Sequence, residues 1–445
     1  MAPIFFDRLF ITAWFLGLVF LLFLASLAGF SPFRVTVGQL FVVQSLGMSY
    51  FGYPLLYFHF YPYRVSRGLT DPEIIAAGMG AALVAIAVSL VVVLIPRNTG
   101  SRRNSGSIPY EHGFEKESSV SILYWSILLA VVVAILAKYL SKVPSMALFE
   151  AFSGGDAALA RSKLTNDFQG KYHWYPLFFY DVAWLVTLVF FACALKAKRL
   201  IPWALLGISL LITTFGLTMS AQKAPLAWFL ISLFLVYFFI KNDGQIGVKK
   251  SIGVGVVAIA VLIPSYLVFM GSDSFVSALY SISSRAFTGQ LSGAYNYQLM
   301  FPNQVCYLLG TSFPKPREVF PFEHYRLAVE VMKLVSSNTN ATDVVGSQPN
   351  MYWGEAYANF GWLGIPAVAL FVGGVLLAAL KILDKVQCPE VKGAATVWVG
   401  LQISYFANSG FTWALMPVTF AVGFLLIFAH EVTGKSFFFR RQISV

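Results

Sequence analysis

Long apolar runs are the feature that most strongly limits what this chain can fold into. Stretches of about 20 mostly apolar residues recur along its length, and an α-helix needs about that many residues to cross a bilayer. On that rule the sequence predicts about eleven membrane spans. They cover residues 9–30, 37–60, 73–95, 120–140, 176–195, 201–218, 224–240, 252–270, 361–380, 392–407 and 411–429. The runs are continuous and do not alternate like barrel strands, so the predicted class is an all-α, polytopic integral membrane protein.

The charge content supports this class. Of the 445 residues, 58% are hydrophobic and 11% are charged, whereas a soluble domain has about a quarter charged residues. The formal net charge is +11. No basic run is interleaved with aromatic residues on a polar face, so nucleic acid is not a predicted partner. Cytoplasmic loops and anionic lipid headgroups account for the positive charge.

The positions of lysine and arginine predict the orientation of the spans. Basic residues collect at 196–199, 241–250, 381–392 and 435–441, and cytoplasmic loops are enriched in such residues. The stretches between them, including 271–359 and 408–410, would then share the outer face. The first spans fit less well, because Gly47, Gly52 and Pro54 leave open a re-entrant segment or an extra crossing.

The polar segment 271–360 divides the chain into three predicted parts. Residues 1–270 hold eight membrane helices, 271–360 form a large, partly helical periplasmic loop, and 361–445 hold the last helices and a cytoplasmic tail. Loops longer than about 12–15 residues are usually functional, so the loop is predicted to cap an active site. Within it, 323–336 is predicted to be an amphipathic helix on the membrane surface or over the bundle. Its apolar stripe is Leu327, Ala328, Val331, Leu334 and Val335.

Cations near helix ends indicate an anionic ligand on the outer face. Lys223 lies between two spans, Arg285 follows a span, and Arg317 and Arg326 lie in the long loop. A charge at membrane depth is costly and usually faces a cavity or a partner. At that depth the predicted anion is a lipid phosphate or pyrophosphate. The alternatives stay open: Lys223 as an interfacial lysine, Arg285 as a headgroup anchor, Arg317 as a loop residue and Arg326 as a solvated side chain.

Acidic, histidine and aromatic residues indicate an acceptor site. Glu355 precedes a span and stands among aromatic residues on which sugars can stack, namely Tyr352, Trp353 and Tyr357. Glu355 and His324 are the candidate general bases, although Glu355 could also be a helix N-terminal charge. Asp181 lies in the first turns of another span and is either functional or paired with a neighbouring cation.

Several kinds of cofactor site are absent from the sequence. It contains no phosphate-binding P-loop and no dinucleotide fingerprint. It has no Cys/His cluster for zinc, haem or copper. Cys193, Cys306 and Cys388 are spaced neither as a disulfide pair nor as metal ligands. The sequence therefore predicts chemistry without a metal or a cofactor.

Three motifs resemble the Wzy-type bacterial polysaccharide polymerases, which polymerise O-antigen and other oligosaccharide repeat units. They are QKAPL from Gln222, RAFTGQ from Arg285 and GEAYANFGWLG from Gly354. The resemblance implies a glycosyltransferase of the bacterial inner membrane that joins repeats carried on undecaprenyl pyrophosphate at the periplasmic face, without nucleotide sugar or metal. It also implies functional roles for Arg285, Arg317 and Arg326.

The predicted site and partners follow from this resemblance together with the residues. The candidate catalytic residues are Arg285, Glu355 and His324. Pyrophosphate or glycan binding is predicted for Gln222, Lys223, Arg317, Arg326, Tyr352, Trp353 and Tyr357. The predicted partners are a lipid-linked oligosaccharide, membrane lipid, and a chain-length regulator and a flippase as neighbouring proteins.

Other functions remain open at this point. A lipid-linked glycan ligase would share the fold and the donor chemistry. A transporter or flippase would show broken helices and ionisable residues at the bilayer midplane, whereas here the polar groups collect at one face. An assembly subunit of a membrane complex would have no site of its own.

Overall fold

The computed structural model describes residues 2–98, 120–143, 147–152, 174–220, 224–269, 274–314, 321–335, 347–412 and 418–442. Before the long loop, the helices are α1 (Ala2–Leu27), α2 (Val37–Ser49), α3 (Tyr53–Tyr57), α4 (Pro62–Val65), α5 (Pro72–Asn98), α6 (Ile122–Leu140), α7 (Ala147–Phe152), α8 (Trp174–Lys196), α9 (Leu200–Thr218), α10 (Ala224–Lys241) and α11 (Val248–Phe269). Those that follow are α12 (Phe275–Phe287), α13 (Gly289–Met300), α14 (Leu327–Val335), α15 (Tyr352–Leu383), α16 (Pro389–Ser404) and α17 (Val418–Gln442). In these ranges, the only β-type pairing is an isolated bridge between Arg34 and Gln245.

The fold class is confirmed: the protein is an all-α, polytopic membrane protein. Within the described ranges, seven helices are long and apolar enough to cross a membrane, namely α1, α5, α6, α8, α9, α10 and α15. Helix α8 is central, since 78% of its most apolar window is buried, whereas α1 has 28% of its window buried and faces outward. The predicted number of about eleven spans is not established by these helices.

The predicted span 37–60 is broken into two helices. Helix α2 ends at Ser49 and α3 begins at Tyr53, with Pro54 in its first turn. Proline lacks a backbone N–H donor and is tolerated in a first turn but not within a helix. A Cβ atom at Gly52 would overlap the backbone oxygen of Phe287. The break therefore brings the backbone of this segment against the end of α12.

Two other predicted boundaries change. Helix α15 was predicted to begin at Gly361 but begins at Tyr352, and Gly361 kinks it with φ 62°. The amphipathic helix predicted over 323–336 is confirmed as α14, which begins at Leu327. Leu327 and Val331 of its predicted apolar stripe are buried, but Leu334 is exposed.

Small side chains let α5 and α15 pack closely. Ser89 Oγ donates a hydrogen bond of 3.1 Å to the backbone oxygen of Ala369. A Cβ atom at Gly373 would come within 2.7 Å of the backbone oxygen of Ser89. Small residues at helix interfaces in membranes allow this kind of backbone contact, where packing replaces the hydrophobic effect as the driving force.

The basic loops meet at one end of the bundle, which we call the basic end. Lys196 Nζ lies 3.0 Å from Glu390 Oε1. A Cβ atom at Gly393 would come within 2.8 Å of the Phe239 ring, at the end of α10. The loop after α10 then pairs with Arg34. Basic loops that are separated by pairs of helices along the sequence therefore lie together at one end of the folded bundle.

The cysteines provide a test of orientation. Cys306 is exposed in the segment predicted to be periplasmic, whereas Cys193 and Cys388 are buried. A membrane-impermeant maleimide should therefore label the protein in intact spheroplasts, since thiol reagents need an accessible thiolate. Cys306→Ser should abolish the labelling. Labelling that requires permeabilised membranes would reverse the predicted orientation.

Candidate functional site

A cavity of about 740 Å³ lies at the end of the bundle opposite the basic end. Its wall is formed by short segments at 312–314, 324–329, 347–350 and 408–412, together with the first turn of α15. The segments come from parts of the chain separated by several helices. The cavity is therefore a product of the tertiary fold, which brings these distant segments together.

Glu355 is the buried charged group of this cavity. Its side chain is 3% exposed, and it lies in the first turn of α15. Oε1 accepts hydrogen bonds from Ser312 Oγ at 3.1 Å and from Thr412 Oγ1 at 2.9 Å. Oε2 accepts one from the backbone N–H of Thr412 at 3.1 Å. Buried carboxyl groups require such partners, and here they come from two distant loops.

No cation pairs with Glu355 in the described part of the chain. The ion pairs found there are Lys196–Glu390 and Lys333–Glu330. Hydroxyl and backbone donors therefore hold the Glu355 carboxyl group in place. The Glu355 carboxyl group therefore has a fixed orientation, and it carries a negative charge when it is ionised.

Asn359 extends the same network by one turn. Its Nδ2 donates to the backbone oxygen of Glu355 at 2.9 Å and to Ser312 Oγ at 2.8 Å. Its Oδ1 accepts from the backbone N–H of Gly310 at 3.0 Å. Asn359 thus joins the loop at 310–312 to α15 and fixes the position of Ser312 against Glu355.

Two glycines allow the wall segments to approach. A Cβ atom at Gly410 would overlap Oε2 of Glu355, and a Cβ atom at Gly293 of α13 would overlap the backbone oxygen of Pro349. At position 293 only a residue without a Cβ atom fits, because the opposing atom belongs to the backbone. At position 410 a Cβ atom would require the carboxyl group of Glu355 to move.

Two basic side chains also line the cavity. His324 and Arg326 are exposed and line the cavity. His324 Nδ1 lies 2.9 Å from the backbone oxygen of Phe313. A carbonyl oxygen can only accept, so Nδ1 carries the proton in this contact, and Nε2 of the neutral ring is an acceptor. The cavity thus combines a buried acid, an imidazole with an acceptor nitrogen and a permanent cation.

Three predicted site residues, His324, Arg326 and Glu355, therefore line one cavity. Arg285 does not line it and lies on α12 beside Arg64. Gln222, Lys223 and Arg317 lie outside the described residues.

The aromatic residues predicted to stack on sugar are placed elsewhere. Tyr352 and Trp353 are 0% exposed and Tyr357 is 5% exposed. The hydroxyl of Tyr357 donates to the backbone oxygen of Phe301 at 3.0 Å. All three rings pack inside the bundle, and none of them lines the cavity. The reason is that α15 begins at Tyr352, which carries these rings into the bundle.

Asp181 forms a separate polar site within α8. It lies in a π-helical turn, Leu177–Val182. Its carboxyl group accepts from Gln402 Nε2 at 2.9 Å and from Thr419 Oγ1 at 3.2 Å. The predicted alternative of a cation partner is not seen among the described residues, where neither ion pair involves Asp181.

Four residues around Glu355 were not among the predicted site residues, namely Ser312, Asn359, Thr412 and Gly410. Asn359 had a local signal, because residues four apart share one face of a helix and Glu355 was already a candidate. Ser312, Thr412 and Gly410 had none, since they reach Glu355 from loops that are distant in sequence.

Comparison of the chain with protein-family models, with curated proteins and with solved structures gives no match. Among the described residues, no group of three or more His, Cys, Asp and Glu side chains is arranged to hold a metal ion. The function therefore has to be argued from the cavity and its chemistry.

Proposed function

We propose that this protein is a glycosyltransferase that polymerises oligosaccharide repeat units carried on undecaprenyl pyrophosphate. The reaction would take place in the cavity, at the periplasmic face of the bacterial inner membrane. The observation that carries the proposal is the meeting of Glu355, His324 and Arg326 around one cavity at the end opposite the basic loops. The resemblance of three sequence motifs to Wzy-type polymerases adds support.

The cavity residues suit this reaction. In the transfer, the acceptor hydroxyl oxygen bonds to the anomeric carbon, the bond from that carbon to the pyrophosphate oxygen breaks, and the acceptor proton passes to a base. The guanidinium of Arg326 would meet the charge that grows on the leaving pyrophosphate. The cavity volume of about 740 Å³ lies within the range of sites that bury small ligands, about 300–1,000 Å³.

The base is assigned to His324. Both oxygens of Glu355 already accept hydrogen bonds from Ser312 or Thr412, which leaves little capacity for a substrate proton. His324 Nε2 has no such contact among the described residues, while Nδ1 is oriented by Phe313. Glu355 would then position the wall of the cavity and help to orient the acceptor.

Arg326→Ala tests the function. Cells without the gene should accumulate single lipid-linked repeats, and the wild-type gene should restore the ladder of longer products. Arg326→Ala should leave single repeats while the protein stays in the membrane, because Arg326 is exposed. Losing one electrostatic donor of this kind typically costs about 10²–10³-fold in rate.

Lys333→Ala is the matched control. Lys333 is an exposed cation of α14, the helix that begins directly after Arg326; it pairs with Glu330 and does not line the cavity. A surface pair of this kind contributes at most about 1 kcal/mol, so this variant should make a full ladder. If Arg326→Ala made a full ladder, the cavity would not be the site of polymerisation. An unchanged ladder in cells without the gene would overturn the polymerase function itself.

The product distinguishes polymerase from ligase. A polymerase leaves the lengthened glycan on the carrier lipid, whereas a ligase would move one glycan to a different acceptor with no ladder on the carrier. A transporter would change the sidedness of the carrier-linked repeat and make no new glycosidic bond.

A further inference from the structure

A group of three arginines lies outside the cavity at the same end of the bundle. Arg64 of α4 donates from Nε to Thr288 Oγ1 at 3.1 Å and from Nη2 to the backbone oxygen of Ser284 at 3.3 Å. A Cβ atom at Gly289 would lie 3.7 Å from Arg64 Nη2 and 3.9 Å from Arg285 Cβ. Arg64 and Arg285 thus flank one glycine.

Arg67 completes the group, which we call the arginine cluster. The Cζ atoms of Arg64 and Arg67 lie 5.1 and 4.7 Å from the ring centroid of Tyr63. The cluster therefore joins the segment around α4 to the end of α12. Arg64 is buried, with 7% exposure, while Arg67 and Arg285 are exposed. This gives a buried cation with an exposed cationic rim.

The positive charge of the cluster is not balanced within the described part of the chain. Neither ion pair found there includes one of its arginines, and the hydrogen bonds of Arg64 go to uncharged oxygens. Burial, together with the charges of Arg67 and Arg285, lowers the pKa of Arg64, although a guanidinium stays protonated at neutral pH. Buried charges normally have a partner of opposite sign, so an external anion would stabilise this arrangement.

The surroundings indicate the depth at which that anion would lie. Phe58, Phe60 and Tyr63 are 48%, 57% and 50% exposed and directly follow or adjoin the apolar helices α2 and α3. Exposed aromatic side chains collect at the boundary between bilayer and water. The anions at that boundary are lipid phosphates, and the planar fork of arginine matches the geometry of phosphate oxygens.

We propose that the arginine cluster binds the phosphate group of a membrane lipid, with Arg64 as its base and Arg67 and Arg285 as its rim. Two sources share this chemistry, a phospholipid headgroup and the pyrophosphate of a polyprenyl carrier.

The position of the cluster relative to the cavity connects the second source to catalysis. Gly289, beside the cluster, begins α13, and Gly293 on the same helix lies against Pro349 of the cavity wall. Because Gly289 and Gly293 are four residues apart, they are separated by about 6 Å along the axis of α13. The carrier pyrophosphate of the acceptor, bound on the cluster, would thus hold the acceptor glycan next to the cavity, where Arg326 faces the pyrophosphate of the donor. This step rests on the proposed function, whereas binding of a phospholipid does not.

The test compares a double variant with a control of equal charge change. Arg67→Gln with Arg285→Gln removes two exposed cations of the cluster. Lys198→Gln with Arg199→Gln removes two exposed cations at the basic end. Each protein is placed in nanodiscs of phosphatidylcholine, and the binding of farnesyl pyrophosphate and of phosphatidylglycerol is measured. Circular dichroism confirms that each protein is folded.

The expected result is weaker binding in the cluster variant alone. Each cation near a membrane surface contributes about 1 kcal/mol to the attraction of an anion, so two correspond to a loss of about 30-fold. The control should stay within about twofold of the wild type. A loss specific to farnesyl pyrophosphate supports a carrier site, and a loss for phosphatidylglycerol supports a headgroup site. Equal binding of both probes by all three proteins would overturn the cluster as a phosphate site.

This result is independent of the product ladder. A protein that makes the ladder but binds no phosphate through the cluster would overturn the lipid site alone. A protein that binds farnesyl pyrophosphate through the cluster but makes no ladder would overturn the polymerase proposal alone.

Discussion

Glu355→Gln should both destabilise the protein and reduce polymerisation. The carboxyl group accepts from Ser312 and from two donors of Thr412. A glutamine amide would place an N–H₂ group among these donors and leave at least one of them unpaired. An unpaired buried polar group costs about 1–3 kcal/mol. Displacing the cavity wall by about 1 Å can cost 10²-fold in rate, so thermal unfolding and the product ladder should both change.

Asp384→Asn is the matched control for this substitution. Asp384 is exposed and caps the other end of α15, so the same chemical change there should leave stability and ladder close to those of the wild type. A normal melting temperature together with a full ladder in Glu355→Gln would show that Glu355 does not organise the cavity.

Thr412→Val separates positioning from proton transfer. This substitution keeps the Glu355 carboxyl group but removes the hydroxyl that donates to it at 2.9 Å. If Glu355 acts by position, both variants should lose activity to a similar degree. If Glu355 were itself the base, Thr412→Val should keep most of its activity and Glu355→Gln should lose about 10²–10⁴-fold. The second pattern would move the base from His324 to Glu355.

Gly293→Ala should open the cavity wall and destabilise the bundle. The added Cβ atom would overlap the backbone oxygen of Pro349, and a backbone atom cannot turn away as a flexible side chain can. The segment 347–350 would have to leave α13, and overpacking of this kind costs about 1–3 kcal/mol, occasionally more. The melting temperature in detergent should fall, and the product ladder should be lost.

Gly374→Ala controls for the substitution itself. No atom lies within 4 Å of a Cβ atom built at Gly374 in α15. Alanine favours a helix over glycine by up to about 1 kcal/mol, so this variant should melt at or above the wild-type temperature. Equal melting of the two alanine variants would contradict the close contact between α13 and Pro349.

The length of an apolar stretch does not always predict where a helix begins or ends. The apolar window of α15 starts near Gly361, because Gly354, Glu355 and Asn359 interrupt it, yet the helix begins at Tyr352. The polar residues of this first part are buried by protein instead of lipid, and a hydropathy pattern cannot distinguish these two environments. In the second predicted span, glycine and proline marked the break, but the contact of Gly52 with Phe287 explains where the chain turns.

The candidate site was likewise predicted only in part from the sequence. Glu355, His324 and Arg326 were identified as residue types suited to glycosyl transfer, and the structure brings them to one cavity. The buried aromatic residues and Arg285 were assigned to that site from local pattern, and in the structure they do not line the cavity.

The sequence by itself determined that this protein is a bundle of membrane-crossing helices with its basic loops at one end. The apolar length of a span and the clustering of lysine and arginine are local properties, which each segment carries wherever it packs. Only the tertiary structure decided which polar groups meet. Thr412 reaches Glu355 across 57 residues and Arg64 reaches Ser284 across 220. Such contacts depend on how the helices pack together, and no local pattern records that packing.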